Sequence, residues 1–192
     1  SWLNPRGKPV VALASFRVPA DSPNLIESKS LKLYLNAFNQ TKVASVADLG
    51  KTLASDLSNA AGAQVAVQVE PLGTRPERSI GYPEGVLLDT LDIDIDRYTP
   101  DPGVLTADHS QPEVGETLYS HLLKSNCLVT GQPDWGMLVV RYYGAPIDRE
   151  GLLRYIVSFR QHNEFHEQCV ERVFVDILRQ CQPTELSVWA RY

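Results

Sequence analysis

No apolar run approaching the ~18 residues needed to span a bilayer occurs in this chain, so no membrane helix is expected. A charged start followed by an apolar core is also missing, which excludes a recognisable signal peptide. Basic blocks are absent: 18 Lys and Arg stand against 23 Asp and Glu, for a net charge of −5. That balance disfavours direct nucleic-acid binding, because a phosphate backbone demands clustered cations. Cysteine is scarce. The three present are an odd number, and none form a Cys-x-x-Cys pair. A disulfide framework is therefore excluded, and reduced thiols in a cytoplasmic protein are expected. Neither Gly-x-Gly-x-x-Gly nor a Gly-x4-Gly-Lys-Ser/Thr loop is found, so a bound dinucleotide would not use a Rossmann fingerprint. The chain opens at Ser1 and closes on a strand-like run at Tyr192; truncated termini are expected.

What is present is ordinary for a globular protein: 43% hydrophobic and 21% charged residues over a length of 192. That length suits one domain or two small halves. Pro9 to Val18 reads as a strand. Leu31, Tyr34, Leu35 and Phe38 mark a helical face, with Ser28 or Ser30 as its cap. Leu49, Leu53, Leu57 and Ala60 mark a second helix, capped by Asp48 and ended by Gly62. Gln64 to Val69 alternates as a strand. Thr74 to Gly85 reads as a loop. Leu91, Ile93 and Ile95 alternate with Asp92, Asp94 and Asp96, a half-exposed strand with a solvated acidic edge. Tyr98 to Glu113 connects the halves. Strands follow at Thr117–Leu123 and Met137–Tyr143. Asp148 caps a helix to about Gln161, and Asn163 caps another whose apolar stripe runs from Phe165 to Cys181. A last strand covers Glu185 to Tyr192, with Leu186, Val188 and Ala190 on one side. Two halves, 1–100 and 101–192, thus share strands, a helix pair and a closing strand, at a repeat of about 90 residues. The fold class is α+β, with antiparallel sheets each packed on a helix pair.

Three clusters could carry chemistry. Cys127 and Asp134 lie on one turn-rich stretch between strands, where a nucleophile and a proton donor are well supported. A thiol attacks as thiolate, so it needs a partner or a positive field. The residues alone leave open a small buried Cys beside a turn Asp. Cys169 and Cys181 fall on the apolar stripe and are expected in the core. His162-x-x-x-His166-Glu167 could bind Zn²⁺ if both histidines shared a helix face, or could be a polar helix start. Alternatively, the Glu167 carboxylate could accept two parallel N–H bonds from an amidine-like edge. Glu27-Ser28-Lys29-Ser30 at a helix start could be an anion site or merely a cap.

Together and in order, these segments resemble the NADPH-dependent 7-cyano-7-deazaguanine reductases, the nitrile reductases of queuosine biosynthesis, in their longer two-half bacterial form. The matching stretches are Leu25 to Asn36, then Ser125-Asn126-Cys127 with Gln132 to Gly136, then His162 to Cys169. The resemblance implies tandem tunnelling-fold (T-fold) halves, with ligands between units and a homodimer. It implies reduction of a nitrile to a primary amine with two NADPH. Carried over, Cys127 forms a covalent thioimide and Asp134 protonates the nitrogen. His166 and Glu167 hold the deazaguanine, helped by Ile26, Glu27 and Ser28; Ser28 and Lys29 meet NADPH. Members of that family also continue past the last strand with an Arg-Arg-Gly tail and carry a further N-terminal segment, which these residues do not include.

Three other readings compete. A metal-dependent T-fold hydrolase would act on a purine- or pterin-like ring through His162, His166 and a Cys. A nitrile hydrolase would let water replace hydride at the thioimide. A ligand-binding or assembly module would do no chemistry at all.

Overall fold

The computed structural model describes residues 1–73 and 80–192; of the expected loop Thr74–Gly85, residues 74–79 lie outside the described residues. The chain divides into two compact units, Ser1–Ile80 and Gly81–Tyr192. Residues 81–100 therefore go with the second unit, and Leu88, Leu91 and Ile93 join its core. The class is α+β, with small, mostly antiparallel sheets and four α-helices among the described residues. None of these helices is long and apolar enough to cross a membrane.

In the first unit, β1 (Trp2–Leu3) pairs with β2 (Pro9–Val10), and β3 (Ala12–Arg17) follows. The strand expected over Pro9–Val18 is thus broken at Val11. Next come α1 (Ser28–Asn36), α2 (Val46–Ala61) and β4 (Ala66–Pro71). β3 and β4 pair antiparallel, with Phe16 opposite Val67. Neither Ser28 nor Ser30 caps α1. Glu27 does, because its extended backbone brings both carboxylate oxygens over the first turn. They accept from the N–H of Lys29 and of Ser30 at 2.7 Å each, and from the Ser30 hydroxyl at 2.8 Å. α2 is capped by Ser45 rather than Asp48. Ser45 Oγ accepts from the Asp48 N–H at 3.1 Å and donates to Asp48 Oδ2 at 2.7 Å, so Asp48 serves as the reciprocal member of the cap. Gly62 ends α2 at φ 69°, a left-handed conformation that glycine adopts without steric penalty. The buried stripe of α2 is Leu49, Leu53, Leu57 and, in place of the expected Ala60, which is exposed, Ala61; it packs on Phe16, Tyr34 and Val67.

The second unit is built on a four-stranded sheet. β5 (Val86–Leu87) runs parallel to β6 (Val114–Asn126); β7 (Pro133–Gly144) and β8 (Glu185–Arg191) complete it antiparallel. Residues 91–96 alternate in exposure as expected, yet they form no strand pairing in the described residues. α3 (Arg149–Ser158) is capped by Asp148, which accepts from the N–H of Glu150 and of Gly151. α4 spans His166–Cys181. It starts three residues past the expected cap, because Asn163 is engaged in a bridge to Asn126. Leu118, Leu138, Val140, Leu186 and Val188 of the sheet pack on Leu152, Tyr155, Ile156, Val173 and Ile177 of the helices. Leu178, expected on the apolar stripe of α4, points outward at 43% exposure.

The two helix pairs repeat one another in detail. Tyr34 Oη donates to Asp56 Oδ2 and Tyr155 Oη to Asp176 Oδ2, both at 2.6 Å. Each tyrosine meets the phenylalanine four residues on, Phe38 or Phe159, edge to face. The buried positions Leu49, Leu53, Leu57 and Ala61 recur as Cys169, Val173, Ile177 and Cys181, a constant offset (169 less 49) of 120. The repeat is therefore longer than the 90 residues expected. At the same offset β3 falls on the start of β7, and β4 falls on β8.

Candidate active site

Cys127 is the first residue past β6. Its N–H donates to the Gln132 carbonyl at 2.8 Å, and its carbonyl accepts from the Gly131 N–H at 2.9 Å. Those two bonds close a short loop whose tip, Leu128 and Val129, is exposed, while Cys127 at its base is 2% exposed. The turn-rich stretch is thus shorter than expected. Asp134 is not on the loop but within β7, directly opposite Ser125 of β6. A strand position holds a carboxylate more rigidly than a loop position does.

His166 and Glu167 are the first two residues of α4. His166 Nε2 lies 3.1 Å from Asp134 Oδ2, at ion-pair distance but off the line of a hydrogen bond. Carboxylate and imidazole so placed can pass one proton between them. Tyr192 stacks on the His166 ring, with centroids 4.4 Å apart and planes at 29°. The same ring lies over Gly136: a Cβ there would sit 3.1 Å from Tyr192 Cε1. Glu167 Oε2 is buried with no hydrogen-bond partner among the described residues. An orphaned buried carboxylate oxygen is costly unless a ligand supplies its donor. The positive end of α4 favours the anion there.

Beside this pair lies a second polar group. Glu164 Oε1 accepts from Arg172 at 2.8 Å; its Oε2 accepts from Arg172 Nε at 3.0 Å and lies 2.8 Å from His162 Nε2. The Arg172 guanidinium, with help from His162, holds the Glu164 carboxyl below its usual range against the opposing effect of burial. Cys169 Sγ is 3.9 Å from the same Oε2. His162, Glu164 and Cys169 have the donor types and spacing of a metal site. Their chemistry argues otherwise. A guanidinium already occupies the cation position at Glu164, and burial pushes the Cys169 thiol up to about 11, so it stays protonated at neutral pH. The condition for zinc binding by both histidines, a shared helix face, is not met: His162 precedes α4 and His166 begins it.

Cys169 and Cys181 are buried in the core as expected, and all three cysteines are free thiols. Ser125 Oγ is buried and faces the Cys169 thiol and the Tyr192 hydroxyl, near enough to favour ionisation of both but without a well-formed hydrogen bond. Burial drives the Tyr192 hydroxyl well above its usual range, so the ring stacked on His166 stays neutral. Tyr192, Ser125, Glu164 and Arg172 were not among the expected site residues. Tyr192 had a signal: it continues the even-numbered face of Leu186, Val188 and Ala190 by one more step.

Two clefts of the second unit lie elsewhere. One of about 520 Å³ is lined by Glu116, Arg141, Tyr143 and Glu185, at the far end of the β6–β7 ladder from Cys127. Another of about 710 Å³ is lined by Thr106, Asp108, Pro146 and Arg149. Neither contains a thiol or a histidine, so volume and chemistry do not coincide, and the chemistry identifies the site. In the first unit, Ile26 packs against Leu57, Ala61 and Val65, while Glu27 caps α1. Ser28 and Lys29 open that helix, and the N–H of Lys29 already donates to Glu27. The hydroxyl of Ser28 and the ammonium of Lys29 suit a phosphate; the helix-start N–H groups bonded to Glu27 do not add to that set.

Comparison with known proteins was made against this geometry. A family model described as nitrile reductase, 7-cyano-7-deazaguanine-reductase N-term, matches residues 1–69. A second, described as QueF-like protein, matches residues 133–192. Proteins named NADPH-dependent 7-cyano-7-deazaguanine reductase from Aromatoleum aromaticum and from an Azoarcus species are each 67% identical over all 192 residues, which span 68% of their length. The protein of that name from Dechloromonas aromatica is 65% identical over the same span.

Proposed function

The chain belongs to the family of the NADPH-dependent 7-cyano-7-deazaguanine reductases, and on that premise we propose that it reduces the nitrile of 7-cyano-7-deazaguanine to the aminomethyl group through a covalent Cys127 thioimide. The observation that carries the reading is the 67% identity over the whole chain. The site geometry supports the roles. The Cys127 thiolate adds to the nitrile carbon, forming a C–S bond, as Asp134 delivers a proton to the nitrogen. The resulting C=N group is a far better hydride acceptor than the nitrile. NADPH, when bound, supplies hydride to that carbon, twice per substrate. After the first reduction and protonation of the nitrogen, the C–S bond breaks and the thiolate returns to Cys127. The iminium so released accepts the second hydride and leaves as the amine.

His166, 3.1 Å from Asp134, re-supplies its proton between steps. A positioned proton donor is worth about 10²–10⁴-fold. Glu167 accepts the amidine-like edge of the base, which gives its buried oxygen a donor. We assign to the first unit substrate contacts through Ile26, Glu27 and Ser28, and cofactor contacts through Ser28 and Lys29. Since Ile26 is packed in its core and both Glu27 oxygens hold α1, the Ser28 hydroxyl is the group best able to meet a ligand there. The repeated Tyr–Phe–Asp arrangement of the two helix pairs supports a tandem T-fold. We also propose a homodimer, checked by sedimentation equilibrium, and a cytoplasmic enzyme, consistent with its free thiols.

The test is twofold. NADPH absorbance falls on adding 7-cyano-7-deazaguanine, by two cofactors per substrate. Without NADPH, mass spectrometry finds an adduct of substrate mass on the Cys127 peptide, absent from Cys127→Ala. Ammonia release in place of NADPH consumption would instead identify a nitrile hydrolase.

A further inference from the structure

Cys127 and the start of α4 are both outside regular pairing, yet the proposed reaction needs them at a fixed separation. The thiol must reach the nitrile while Glu167 holds the far edge of the same rigid bicyclic ring. A misplacement of about 1 Å between reacting groups lowers rates by about 10²-fold. Something must set that distance, and Asn126 is the residue placed to do so. It is the last residue of β6 and the neighbour of Cys127.

Asn126 bonds on every side. Its N–H donates to the His162 carbonyl at 2.8 Å, and its carbonyl accepts from the Glu164 N–H at 3.1 Å. Its side-chain Nδ2 donates to Asn163 Oδ1 at 3.0 Å and, more weakly, to the His162 carbonyl at 3.4 Å. Its Oδ1 accepts from Lys124 Nζ at 2.6 Å. That ammonium also donates to the Arg160 carbonyl at 2.8 Å. The amide orientation follows from the network, because a reversed amide would turn its NH₂ toward an ammonium. Residues 160–164 are thereby tied to the end of β6, one residue before Cys127. Only Phe165 separates the tied segment from His166 and Glu167.

We propose that Asn126, braced by Lys124, is a positioning residue that sets the separation between the Cys127 thiol and the substrate-holding start of α4. The proposal rests on the nitrile-reductase reading above. It goes beyond it in assigning alignment to a side chain that touches neither reacting atom.

Two reagents separate alignment from mere structure. 7-Cyano-7-deazaguanine needs both the thiol and its holder to form an adduct; iodoacetamide needs only the thiol. Asn126→Ala keeps both backbone bonds and removes the side-chain ones. Adduct formation without NADPH is expected to slow by about 10- to 100-fold, while alkylation of Cys127 by iodoacetamide changes less than about 2-fold. Asn126→Asp keeps the acceptor for Lys124 but loses the donor to Asn163, and falls between. Lys124→Met removes the brace alone and gives a smaller loss of the same kind; it carries the test if Asn126→Ala does not fold. Equal slowing with both reagents, or no slowing with the substrate, would overturn the proposal. A wild-type protein that forms no adduct at all would instead sink the nitrile-reductase reading, and this proposal with it.

Discussion

Gly136→Ala isolates the contribution of Tyr192 to the proton pair. Gly136 lies in β7 with ordinary extended backbone, so alanine is tolerated there and even restricts the unfolded chain, worth about 0.4–1 kcal/mol. The added Cβ, however, would stand 3.1 Å from Tyr192 Cε1, 3.2 Å from Cδ1 and 3.4 Å from Cζ. Carbon atoms settle at about 3.5–4.0 Å, so the ring must retreat by roughly 0.4–0.9 Å. That ring is stacked on His166 at 4.4 Å, and His166 faces Asp134. If the imidazole follows the ring, a sensitivity of about 10²-fold per Å gives a loss of about 6- to 60-fold in kcat. The assay is the initial rate of NADPH consumption at saturating 7-cyano-7-deazaguanine, with the melting temperature measured in parallel. A Tyr192→Leu background supplies the control. There the alanine has no ring to push, so Gly136→Ala should cause no further loss. An equal loss in both backgrounds, or a normal kcat in the single variant, would refute the reasoning.

Other predictions follow from separate parts of the molecule. Asp134→Asn should form the Cys127 adduct about 10²–10⁴-fold more slowly, followed by mass spectrometry in the absence of NADPH. Asp148→Ala removes the cap of α3 and should lower stability by about 1 kcal/mol in urea titration, with little effect on the substrate KM. Ile177→Ala opens a hole in the second unit's core, fully enclosed at this position, and should cost about 2–5 kcal/mol. Burial pushes the Cys169 and Cys181 thiols from 9.0 to about 11, so the folded protein keeps their protons after the unfolded chain has lost them. Their stability contribution is intact below pH 9 and drains away as pH rises through 11. By pH 10 the loss should be on the order of 1 kcal/mol for each thiol. Replacing both by alanine should flatten that alkaline decline in urea titrations; an unchanged slope would show the thiols are not its source.

Local signals determined much of this protein. The stripes at Leu49–Ala61 and Cys169–Cys181 carry the helical period in their own residues, and Asp148 and Gly62 mark helix ends by side-chain and backbone chemistry alone. The residues proposed as nucleophile and substrate holders stand in short motifs that carry a family resemblance, while their residue types alone left other readings open. Signals that depend on partners were not legible. The Leu91–Ile95 alternation looks like a strand, but a strand exists only where a neighbour supplies its hydrogen bonds, and none does in the described residues. Ser30 and Asp48 are good caps by type; Glu27 and Ser45 took those places because their backbones are extended at the point where the helix starts. Only the tertiary structure put Asp134 beside His166, thirty-two residues (166 less 134) away in sequence, and set Tyr192 against both His166 and Gly136. It also tied Asn126 to residues 160–164, which no local pattern encodes. The physical reason is common to all of these. Periodicity and capping act within a few residues along the chain, whereas the distance between a thiol, a carboxylate and an imidazole is set by strand register and helix packing.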